Sequence, residues 1–129
     1  MALTITRGQG LNVVEESSGS EPVRFAASEL DRYLTQILGL ESTATACLRV
    51  RLIVDGTLDP CDEAFQTAIV NGEIAIRGGG PLGVVFGVYH FIREFCGCQF
   101  SAPGSDGEYI PRFDDLDIPE VNVHRRPEL

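Results

Sequence analysis

The 129-residue sequence contains no lysine; all ten of its basic side chains are arginine. A Schiff-base lysine, a P-loop lysine and a lysine general base are therefore excluded. Tryptophan is absent as well, which removes the strongest aromatic platform for cations and sugar rings. No apolar run approaches the roughly 20 residues of a bilayer-spanning helix. Residues 1–10 do not show the basic-then-apolar layout of a secretory leader. Localisation stays open, with an extracytoplasmic site among the options. Positive charge is scarce, and the net charge is −9. Phosphate-rich partners need clustered basic side chains, so neither nucleic acid nor a membrane is expected as a partner.

Hydrophobic residues make up 43% and charged residues 22%, the balance of a folded domain rather than a disordered one. A chain of this length buries about two-thirds of its unfolded surface, enough for one core. Acids gather between Pro103 and Glu120: Asp106, Glu108, Asp114, Asp115, Asp117 and Glu120, against Arg112 alone. The alternating aspartates and glycine of a calcium loop are missing, so this stretch reads as a solvated acidic loop. The cysteines are Cys47, Cys61, Cys96 and Cys98. Free buried thiols, one disulfide and a metal site are the three readings. Cys96-Gly97-Cys98 has one intervening residue rather than the two to four of zinc knuckles, and His90 and His124 add no zinc spacing. No metal and no cofactor is expected.

Hydrophobic periodicity predicts an α+β domain. Ala2 to Thr6 alternates as a strand, and Leu11 to Glu15 reads as a second, joined to the first in a hairpin through Gly8 and Gly10. From Pro22 to Leu38 the period becomes helical through Val23, Ala26, Leu30, Leu34 and Ile37. Ser20 is the expected N-cap, and Gly39 the left-handed residue that ends the helix. Leu48 to Val54 is an interior strand. Phe65–Val70 and Glu73–Arg77 form a hairpin about Asn71-Gly72, whose two residues suit the positive φ angles of a type I′ turn. A second, more apolar helix begins at Pro81 and ends at Gly97. Gly83 and Gly87, four apart, let it approach the sheet closely. Short strands are expected near Cys98–Ser101, Glu108–Ile110, Leu116–Ile118 and Val121–Val123.

The candidate binding and catalytic motifs fail on context. Gly78-Gly79-Gly80-Pro81-Leu82-Gly83 satisfies the G-x-G-x-x-G dinucleotide pattern. It follows an antiparallel hairpin arm, however, lacks an acid near Gln99–Pro103, and has no alternating βα units around it. It reads as a tight turn. The carboxylate pairs Asp62/Glu63 and Asp106/Glu108 lie in polar loops without the apolar flanks that raise one pKa for glycoside hydrolysis. His90 reads as a helix-surface residue. Cys96 and Cys98 sit at a helix C-terminus, which raises a thiol pKa. No catalytic residue is assigned.

Several segments resemble a known family. Ala26-Ala27-Ser28-Glu29-Leu30-Asp31-Arg32-Tyr33-Leu34 with Ile37-Leu38-Gly39 resembles an A-x-E-L-x-x-Y-L-x-x-I-x-G helix. Phe65 with Ile69–Gly78 resembles the hairpin that follows it. Gly83-Val84-Val85-Phe86-Gly87-Val88-Tyr89-His90-Phe91 resembles R-G-x-x-Y-G-x-Y-x-F, and Gly97-Cys98-Gln99-Phe100 with Glu108 and Pro111 matches a G-x-R-W/F…E-x-I-P close. In this order, over residues 2–123, the set is similar to the N-terminal domain that precedes the catalytic barrel in α-glucuronidases, β-hexosaminidases and related glycoside hydrolases. Leu82 and Gln99 stand where that pattern has arginine, and Phe86 where tyrosine is common.

The resemblance implies a mixed, mostly antiparallel sheet with two helices on one face. It implies a non-catalytic accessory domain over residues 1–123 and a connector beginning at His124, with a downstream catalytic barrel as partner. Two further readings are a small carbohydrate-binding module and a standalone interaction domain. For glycan or interface contact the candidates are Phe100, Tyr109 and Gln99.

Overall fold

The computed structural model describes residues 2–16, 21–42, 48–100 and 108–125. Its elements run β1 (Ala2–Thr6), β2 (Gly10–Glu15), α1 (Glu21–Leu38), β3 (Glu41–Ser42), β4 (Leu48–Val54), β5 (Phe65–Val70) and β6 (Glu73–Gly78). There follow α2 (Pro81–Glu94), β7 (Gln99–Phe100), β8 (Glu108–Tyr109), β9 (Asp115–Pro119) and β10 (Val121–Arg125). The fold is α+β, as expected. A six-stranded mixed sheet has the order β10-β5-β6-β4-β2-β3. Its β2, β3, β4 and β6 are parallel neighbours, while β5 and β10 join antiparallel. Both helices pack on one face: α1 lies against α2 and β2, and α2 covers β6, β5 and β4.

The first two strands do not form the expected hairpin. β1 pairs instead with β9, with Leu3 opposite Ile118 and Ile5 opposite Leu116. β2 enters the main sheet beside β4. Gly8 does turn the chain, with φ +82°, but the turn hands it from one sheet to another. The reason lies at the end of α1, whose last carbonyls need donors. Gly8 N–H reaches Leu38 O at 2.9 Å, and the Arg7 guanidinium and Phe113 N–H both reach Ile37 O at 2.9 Å. The residues between the strands are spent on closing a helix. A second difference follows from β2–α1–β4, a parallel crossover: one βαβ unit is present, and β6 is parallel to β4 on the side away from β5.

The core is the alternate-residue set of the sheet facing the helical stripes. Leu11, Leu48, Val50, Leu52, Ile69, Ile74 and Ile76 meet Val23, Ala26, Leu30, Leu34, Ile37, Val84, Val88 and Phe91, all fully buried. Ile5 and Ile118 close it from the β1–β9 ribbon. Asn71 (φ 55°) and Gly72 (φ +76°) make the expected turn, and Gly39 (φ +62°) ends α1. The proposed cap Ser20 and Cys47 lie outside the described residues. β10 extends through His124 and Arg125, paired with Gln66 and Phe65.

Candidate functional site

The glycine run is a packing device rather than a cradle. A Cβ built on Gly78 would strike the Val84 backbone nitrogen; on Gly79 it would lie 2.5 Å from Cys61 O, and on Gly80 3.0 Å from Asp62 O. On Gly83 it would strike Ala64 O. The loop 61–64 therefore occupies the space at the start of α2 where a phosphate would sit in a dinucleotide site. Gly79 N–H donates to Ala64 O at 2.9 Å, which spends a donor such a ligand would use.

The motif residues of the two helices meet each other. Tyr89 Oη donates to Glu29 Oε1 at 3.0 Å, and Arg32 Nε donates to Glu29 Oε2 at 2.7 Å. Arg32 also lies 4.2 Å above the Tyr33 ring. Its hydrogen bond to Glu29 holds the guanidinium above the usual arginine pKa. Glu29 and Tyr89 thus tie α1 to α2, while Tyr33 is buried on α1. Leu82 and Phe86, two of the departures from the family pattern, are exposed on α2.

Other polar groups are tied in place in the same way. The buried Asp59 carboxylate accepts the Cys61 N–H at 2.9 Å and lies 2.9 Å from His124 Nε2, pinning β10 to the β4–β5 loop. Arg51 grips Glu16 through two bonds, which lowers the Glu16 pKa. His90, expected on the helix surface, is half-buried: its ring lies 5.1 Å from Phe65 and 6.3 Å from Phe95. Burial lowers its pKa, and its Nδ1 has no partner. Cys61 and Cys96 are free thiols, and Cys98 is buried. Burial raises the Cys96 pKa, and the nearby Cys98 adds to this, so Cys96 is a poor nucleophile. Among the described residues, no three His, Cys, Asp or Glu side chains are placed to hold a metal, and no helix is long and apolar enough to cross a membrane.

Gln99, Phe100 and Tyr109 fall in one two-stranded ribbon, with Gln99 opposite Tyr109 and Phe100 opposite Glu108. Beyond β8 the chain runs through Ile110 and Arg112 to Phe113 at the end of α1. There Arg7, Thr35, Gln36, Ile110 and Arg112 line an open concavity of about 430 Å³. No local signal could have brought Arg7 and Arg112 together, since they come from opposite ends of the chain. Among the described residues, this concavity sets ligand-sized space beside several polar side chains.

No family model matches the sequence, and no curated protein matches it. Solved structures do share its fold. A 4-O-methyl-α-glucuronidase with specificity for decorated arabinogalactans superposes on 97% of this chain with a TM-score of 0.77 and 16% identity. A β-N-acetylhexosaminidase from Streptomyces coelicolor covers 98%, with a TM-score of 0.65 and 17% identity. An exo-β-N-acetylglucosaminidase from Vibrio harveyi also covers 98%, with a TM-score of 0.59 and 14% identity. The chain spans 18%, 24% and 17% of those three chains respectively, so the fold it shares is a small part of several glycoside hydrolases.

Proposed function

We propose that this chain is a non-catalytic accessory domain of a glycoside hydrolase, acting on polysaccharide through a catalytic barrel against which it packs. The carrying observation is the asymmetry of the fold match: nearly all of this chain, but under a quarter of each glycosidase. The chemistry of the described residues supports the reading. Glycoside hydrolysis needs two carboxyl groups facing one bond about 5–10 Å apart, one with a raised pKa. Here Glu16, Glu29 and Asp55 are engaged by Arg51, Arg32 and Arg77, and Asp59 by His124. Asp55 and Glu120 have pKa values lowered by hydrogen bonds to Thr57 and Asn71, the opposite of what a general acid requires.

The test is the gene product that carries this sequence. Expression with and without this domain is expected to leave a catalytic part that hydrolyses glycosides but melts at lower temperature when the domain is removed. A gene product without any glycosidase domain would overturn the reading. The carbohydrate-binding alternative draws on the β7–β8 ribbon, which places Gln99, Phe100 and Tyr109 on adjoining strands.

A further inference from the structure

We propose that the concavity between the end of α1 and the segment after β8 is a binding site for an acidic saccharide. Two guanidinium groups line it, Arg7 and Arg112, in a chain whose net charge is −9. Arg7 is held in place: its Nε donates to Phe113 O at 3.0 Å and its Nη2 to Ile37 O at 2.9 Å. Those bonds fix the plane of the group and direct part of its charge to the carbonyl end of α1. Asp114, fully exposed, stands 3.7 Å from the same Nε. Arg112 is exposed, lines the same concavity and supplies the charge that Arg7 does not. A guanidinium matches the paired oxygens of a carboxylate or phosphate.

The remaining lining indicates what carries the oxyanion. The Thr35 hydroxyl donates to Asp31 Oδ1 and Leu40 O, both at 3.3 Å, and keeps its lone pairs to accept from a sugar hydroxyl, while the Gln36 amide can donate and accept and Ile110 offers an apolar patch. Hydroxyl, amide and a small apolar surface beside two cations suit a polyhydroxylated ring better than a bare ion. A volume of about 430 Å³ lies within the range of small-ligand sites, roughly 300–1,000 Å³. The choice of a saccharide rests in part on the accessory-domain reading; the oxyanion contacts do not.

The chain, labelled with ¹⁵N, is titrated with glucuronate and with glucose 6-phosphate, and separately with glucose and inorganic phosphate. Saturable shifts are expected at the amides of Gln36, Ile110 and Arg112 with at least one acidic sugar, and none with glucose. Arg112→Gln is expected to weaken that binding about tenfold or more while leaving the core amides unshifted. Comparing the two acidic sugars separates carboxylate from phosphate. Absence of shifts with both, equal shifts with glucose, phosphate binding as tight as either sugar, or an Arg112→Gln variant that binds undiminished would each overturn the proposal. Such a result leaves the accessory role standing, because that role is read from stability and turnover of the whole gene product.

Discussion

Replacing Gly83 with alanine sets two effects of opposite sign against each other. In an ordinary exposed helix, alanine is about 1 kcal/mol better than glycine. At Gly83 the new methyl would strike Ala64 O, with Gly78 Cα at 2.9 Å and Asp62 O at 3.0 Å. All three are backbone atoms, so no side chain can rotate away. Relief requires α2 to lift or the 61–64 loop to retreat. Either movement strains the bond from Gly79 N–H to Ala64 O. Overpacking costs about 1–3 kcal/mol, and a buried donor left without its acceptor about 1–3 kcal/mol more. After the helix gain is subtracted, a net loss of about 1–5 kcal/mol is expected. At this chain length that is a melting temperature lower by roughly 4–18 °C. Urea and thermal denaturation followed by circular dichroism measure it. Ser28→Ala, exposed on α1, serves as the control and is expected to gain a few tenths of a kcal/mol. A Gly83→Ala protein as stable as the parent would refute the view that these glycines exist for backbone packing.

The tie between the helices should appear in a double-mutant cycle. Tyr89→Phe and Glu29→Gln are each expected to cost about 1 kcal/mol, with a coupling of at least about 0.5 kcal/mol; additive effects in urea melts would argue against it. His90 sets a pH dependence of known sign. Burial lowers its folded pKa, so the unfolded chain binds the proton more readily. Stability is then full above the unfolded value of about 6.5 and falls as the pH drops toward the folded value. Urea midpoints from pH 7.5 to 5 should show that decline, and His90→Gln should flatten it. Among the described thiols, a mass-resolved alkylation series should label Cys61 before Cys96 and Cys98. Equal rates would contradict the burial that raises the Cys96 pKa.

Features governed by neighbours in sequence were legible from it. Asn71-Gly72 announces its turn because the φ angles of those two residues decide the hairpin. The α1 stripe is legible because burial repeats with the helix. The pairing of β1 was not, since Thr4 Oγ1 donates to an Asp117 that lies 113 residues away and nothing local marks such a partner. Gly8 looked like a hairpin residue because positive φ signals a turn but not its destination. The candidate site divides along the same line. The ribbon carrying Gln99, Phe100 and Tyr109 follows from short alternating segments. The concavity depends on Arg7 reaching around the end of α1, which is a consequence of topology. His90 was misplaced because its neighbours Phe65 and Phe95 close over it, and only the first of them is distant in sequence.

The central claim is that this domain carries no turnover of its own. Its most direct test is hydrolysis of 4-nitrophenyl glucuronides and N-acetylglucosaminides by the purified chain, measured against buffer. The account predicts no hydrolysis above the buffer rate. Turnover that disappears in Asp62→Asn or Glu63→Gln would contradict it.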